Sequence, residues 1–148
     1  MVKVIFSNSK IYKMKTILSL LCFFSAAFTY AQSPVGKWKK ISHVSSYEGQ
    51  TFDSHKALLQ SRPCAAKVIW EINEDGTFRQ NLEASGCDES YKKIQTKMYS
   101  QSVWKLAGNK LFIGGKEGIG QNYTISISGN KLVMTGTDGQ GTITYQKS

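Results

Sequence analysis

The chain has 148 residues and a formal net charge of +9, with 41% hydrophobic and 11% aromatic residues, two prolines and thirteen glycines. That length is one domain, and the composition excludes a disordered or collagen-like chain. The positive excess shrinks once the N-terminus is set aside and is not evidence for nucleic-acid binding.

Residues 1–31 are expected to be a signal peptide. Lys13 and Lys15 provide a positive start, Ile17 to Phe28 an apolar run, and Thr29-Tyr30-Ala31 the small residues before a cleavage site. Met14 is a plausible true start, which would make residues 1–13 a start-site overcall. Cys22 lies inside the apolar run rather than at its end, a poor context for lipid attachment. The domain then spans residues 32–148, where 15 basic residues face 10 acidic ones, for a net charge of +5. Nothing beyond residue 31 is long or apolar enough to span a bilayer as a helix. The expected location is periplasmic or extracellular.

Export leaves Cys64 and Cys87, and an even count in an oxidising compartment favours one disulfide. Two buried free thiols are the competing reading. No metal is expected, because these cysteines with the scattered His43 and His55 do not form a ligand set.

From Val35 onward the dominant period is two, with turn signals about every ten residues, which predicts an all-β sandwich or barrel. Strands are expected near 35–43, 67–73, 76–83, 94–107, 110–114, 122–128, 131–136 and 141–146. At most one short helix is expected, over residues 53–61, capped by Asp53 or Ser54. A two-residue turn at Gly108-Asn109 pairs Leu106 with Leu111 and Trp104 with Ile113. The turn at Gly129-Asn130 pairs Ile127 with Leu132 and Ile125 with Met134. The loop at Asp138-Gly139 pairs Met134 with Ile143 and Leu132 with Tyr145. Each choice keeps an apolar face whole, and a slip of one residue would split it. At Asn73–Thr77 the same criterion selects a three-residue loop with Gly76 left-handed, pairing Ile72 with Phe78. This brings Cys64 and Cys87 near each other at the open end of that hairpin. A strand from Ile94 to Leu106 would carry Met98, Trp104 and Leu106 on one face, with Lys92, Lys93 and Lys97 on a solvated one.

Gly36-Lys37-Trp38 opens the first strand. It is followed in order by Cys64, Ile72, Asp75-Gly76-Thr77-Phe78, Cys87, Trp104-Lys105-Leu106, Leu111, Tyr123-Thr124-Ile125 and Leu132. This order resembles the small lipocalin-like domains of the Bacteroidetes type, over nearly all of residues 34–147. The resemblance implies an eight-stranded antiparallel up-and-down barrel. It also gives Gly36 and Trp38 a structural role at the closed end, with Lys147 as the only basic residue available to cover the indole.

The leading functional expectation is a secreted binding protein for a small apolar ligand. Its candidate lining is Trp70, Phe78, Met98, Trp104, Ile125 and Met134, which could equally fill a solid core. The alternative is a protein-binding module, such as a protease-inhibitor-like barrel acting through Ser45–Arg62 or Gly114–Gln121. No catalytic residues, enzyme activity or cofactor are expected. There is no Gly-x-Ser-x-Gly elbow and no His-Glu-x-x-His, and the run from Gly114 to Gly120 lacks the Gly-Lys-Ser/Thr ending and following helix of a phosphate loop.

Overall fold

The computed structural model describes residues 33–137 and 139–148. The expected signal segment, residues 1–31, lies outside the described residues, as does Asp138.

Nine strands form one antiparallel sheet: β1 (Gly36–Tyr47), β2 (Gln50–Asp53), β3 (Ile69–Ile72), β4 (Phe78–Asn81), β5 (Val103–Ala107), β6 (Lys110–Gly114), β7 (Gly120–Ser128), β8 (Lys131–Gly136) and β9 (Thr142–Lys147). The order is β4-β3-β1-β9-β8-β7-β6-β5, with β2 folded back on the end of β1. The first and last long strands therefore pair, and eight strands make an up-and-down barrel with its one seam between β4 and β5. Four hydrogen bonds stitch that seam. Phe78 N–H donates to Ser102 O at 3.1 Å, Trp104 N–H donates to Gly76 O at 2.9 Å, and the Arg79 guanidinium donates to the carbonyls of Tyr99 and Ser102. Closing the sheet removes most of the unpaired edge that would otherwise invite association.

All the expected hairpin registers are present. Leu106 faces Leu111 and Trp104 faces Ile113, Ile125 faces Met134 and Ile127 faces Leu132, and Met134 faces Ile143 and Leu132 faces Tyr145. Ile72 faces Phe78, and Gly76 takes φ +82° in the three-residue loop between them. Trp70, Ile72, Phe78, Leu111, Ile125 and Leu132 share one core with Trp38, Met134, Ile143 and Tyr145, and Trp104 packs against it.

Two expectations are corrected. The described residues form two α-helices rather than at most one: α1 (Ser54–Ser61) and α2 (Glu89–Tyr99). The second replaces the first half of the strand expected over 94–107. Asp88 caps α2 by accepting from Tyr91 N–H at 2.8 Å. Tyr91, Gln95, Met98 and Tyr99 then follow helical spacing on the face that turns inward. Ile94 is left exposed, and Lys92, Lys93 and Lys97 lie on a helix, not on a strand face. Helix α1 starts where expected, with Asp53 accepting from His55 N–H and Lys56 N–H, both at 3.0 Å.

Because neighbouring strands run in opposite directions, connections alternate between the two ends of the barrel. The tight turns at Asn73–Thr77, Gly108-Asn109 and Gly129-Asn130 fall at the Gly36 end. The β1–β2 hairpin, α1, α2 and the loops before β7 and β9 crowd the other. A 3-10 turn at Pro63–Lys67 carries Cys64, and another at Glu83–Ser85 precedes Cys87. The expected disulfide joins them, with Cα atoms 5.2 Å apart. It ties together the two long connections at the open end. Arg62, which ends α1, reinforces the tie by pairing with Asp88 and stacking 4.3 Å from the Tyr91 ring centroid.

Candidate functional site: a sealed floor and a hollow upper barrel

The Gly36 end is solid. Gly36 takes φ +148°, a region side-chain-bearing residues rarely adopt, and starts β1 against Ile72. Trp38 is buried, and its indole N–H donates to Pro34 O at 2.8 Å. The Lys147 ammonium, the basic group available there, lies 5.9 Å from the Trp38 ring centroid. Trp38, Trp70, Ile72, Phe78, Leu132 and Tyr145 close together here with no space for a water.

Above this floor the barrel is hollow. A cavity of about 400 Å³ is walled by seven strands, with Trp70, Phe78, Ile113, Met134, Ile143 and Tyr145 among its lining. A second cavity of about 270 Å³ lies beneath α1 and α2, bounded by Leu58, Val68, Met98 and Tyr91 among others. Lys40, Trp70 and Tyr99 border both. The larger volume falls in the range of small-molecule pockets, roughly 300–1,000 Å³.

The candidate lining residues thus separate. Trp70, Phe78 and Met134 border the larger cavity. Met98 is on α2, 61% exposed, and reaches only the smaller one. Ile125 belongs to the packed core and borders neither. Trp104 also borders neither. Its indole N–H donates to Asn73 O at 2.8 Å, which pins β5 to the β3–β4 turn beside the seam.

The polar side of the site was not anticipated. β1 shifts register against β9 between Lys40 and Ser42. A bulge of this kind re-aims the side chains that follow it. Trp38 and Lys40 point inward before it, Ile41 falls outside at 44% exposure, and His43 returns to the lumen. His43 is held there by Asp53, whose carboxylate accepts from its N–H at 3.1 Å, and its Nε2 lies 3.1 Å from Gln140 O. The Lys40 ammonium stands 4.2 Å from the Trp70 ring centroid and 5.8 Å from that of Tyr145. Burial lowers its pKa to about 8. Burial and the nearby Lys40 charge lower that of His55, while burial raises the phenols of Tyr99, Tyr123 and Tyr145, the last strongly. At neutral pH the interior therefore carries the Lys40 ammonium beside neutral phenols and the neutral His55 imidazole.

The family model of the lipocalin-like domain matches residues 35–134. The chain belongs to the lipocalin-like domain family, whose barrel fits a ligand-binding role. No curated protein and no solved structure matches it. No helix among the described residues is long and apolar enough to cross a membrane, and no group of three or more His, Cys, Asp or Glu among them could hold a metal ion.

Proposed function

We propose that the chain is an exported bacterial carrier that holds one small, mainly apolar molecule inside its barrel, after removal of residues 1–31. The observation that carries this reading is the cavity of about 400 Å³ above a floor with no space for water. A barrel whose side chains merely filled it would be solid at both levels. Aromatic and aliphatic walls supply the driving force. Burying about 300 Å² of ligand surface is worth at most roughly 7 kcal/mol before association costs, so micromolar affinity or weaker is expected.

The neutral fluorophore 1-aminoanthracene tests this. It should brighten saturably in the wild-type protein and lose its site in Met134→Trp, whose indole would occupy the lumen. No saturable signal from the wild type would refute the carrier.

One observation favours a second reading, recognition of a protein through the rim. Tyr47 and Phe52, 78% and 59% exposed, project from the β1–β2 hairpin, and Ile119, 81% exposed, from the loop before β7. These positions fall within the two segments expected to carry such contacts. Inhibition of a protease panel that disappears in Phe52→Ala would support the rim. Unaltered proteolysis throughout would remove it.

A further inference from the structure

We infer that the molecule carried has an acid group at one end, bound against Lys40 between the two cavities, with its apolar body in the barrel lumen. This rests on the carrier reading and adds the ligand's chemical class.

Three independent features of the interior point the same way. First, Lys40 lacks a counter-ion. None of the three ion pairs among the described residues includes it, and neither cavity is bordered by an aspartate or a glutamate. A half-buried ammonium withdrawn from most of its water is costly unless paired, and the aromatic faces of Trp70 and Tyr145 compensate only in part. Second, two residues that border the smaller cavity carry buried polar atoms without partners, His55 Nε2 and Gln80 Oε1. His55 itself is only 5% exposed. Buried polar groups are normally bonded, so two orphans beside one unpaired cation mark a place where polar atoms are missing. Third, Lys40 borders both compartments, so a head group at its ammonium is continuous with a body among Trp70, Phe78, Met134 and Ile143.

A carboxylic acid satisfies all three. Its carboxylate pairs with Lys40, and its second oxygen is within the same compartment as His55 and Gln80. His55, kept neutral by burial and by the Lys40 charge, donates to the carboxylate in its Nε2–H tautomer. The Gln80 amide donates through its NH₂ after rotation about its last bond, an orientation that the present network does not oppose. The other titratable groups bordering the two cavities with Lys40 are His43, His55, Tyr91, Tyr99, Tyr123 and Tyr145. The phenols remain neutral through the range in which Lys40 loses its proton, so they add no competing anion.

The experiment measures displacement of 1-aminoanthracene by straight-chain acids of eight to sixteen carbons and by their methyl esters. It uses the wild type and Lys40→Met. In the wild type the best acid should bind at least tenfold more tightly than its ester, as expected when a charge-assisted bond to a buried group is lost. In Lys40→Met that preference should vanish, while ester affinity stays within about threefold. Raising the pH from 7 to 9 should weaken the acid roughly tenfold and leave the ester unchanged, since the ammonium is lost near 8. If acid and ester compete equally in the wild type, the acid group is wrong and the apolar carrier stands. If the fluorophore binds nowhere in the wild type, the carrier reading fails and takes this one with it.

Discussion

Replacing Lys40 by methionine should make the unliganded protein more stable at neutral pH, and the gain should disappear in alkali. The Lys40 amine titrates at about 8 in the fold against 10.5 for the free side chain. Each unit corresponds to about 1.36 kcal/mol, so holding the ammonium inside costs about 3 kcal/mol relative to the neutral amine. Between these two values the unfolded chain binds the proton that the folded chain has released. Stability of the wild type therefore rises with pH across this window, and Lys40's contribution is lost as pH falls through 8. Methionine keeps a flexible stem of similar bulk and has no proton to lose. Urea unfolding at pH 7, 9 and 10.5 should give a difference of about 2–3 kcal/mol in favour of Lys40→Met at pH 7, shrinking to near zero at pH 10.5. Burial raises the phenols in both proteins alike, so they cancel in the difference. A variant no more stable than wild type at pH 7, or an advantage that does not change with pH, would refute the claim that the ammonium is half-buried and unpaired.

Other consequences concern the open end and the chain's start. Replacing Cys64 and Cys87 by serine opens a loop with a sequence separation of 23. The chain-entropy estimate is a loss of roughly 3 kcal/mol, or about 15 °C in melting temperature, readable by circular dichroism. A shift under about 4 °C would mean that the roof is held by other contacts. Asp53→Ala removes three backbone bonds, to His43, His55 and Lys56, and should cost about 2 kcal/mol in urea unfolding. It should also weaken acid binding through His55, while an unchanged stability would show α1 does not need its cap. Protein recovered from its own cells should begin at Gln32 by intact-mass measurement, and retention of residues 14–31 would contradict export by cleavage.

The legible part of this fold is the part governed by short turns. From Val103 to Lys147 the two- and four-residue loops leave one register that keeps Leu111, Leu132, Met134 and Tyr145 on the same face, and the structure adopts it. The two cysteines were legible for a similar reason, since the β3–β4 hairpin brings their segments together. Helix α2 was missed because its apolar residues are sparse and Ile94, read as the start of a strand, points to solvent. Asp88 and the spacing of Tyr91, Gln95, Met98 and Tyr99 were the available signal. Alternation from Trp38 places Lys40 inward, but a lysine is ordinarily read as a solvent-facing residue; His43 was missed because the bulge after Lys40 changes which face the following residues occupy. Trp104 and Ile125 share the inward face of their hairpins but sit at levels where the barrel is packed or seamed. Periodicity reports the face of a strand and not the height along the barrel.

The most direct test is native mass spectrometry of the protein purified from its own cells, followed by release and accurate-mass analysis of what it holds. The account predicts a one-to-one adduct, released on unfolding, that ionises as a small acid with an apolar body. A chain that is consistently bare, and that also fails to take up 1-aminoanthracene, would contradict a barrel built to carry a ligand.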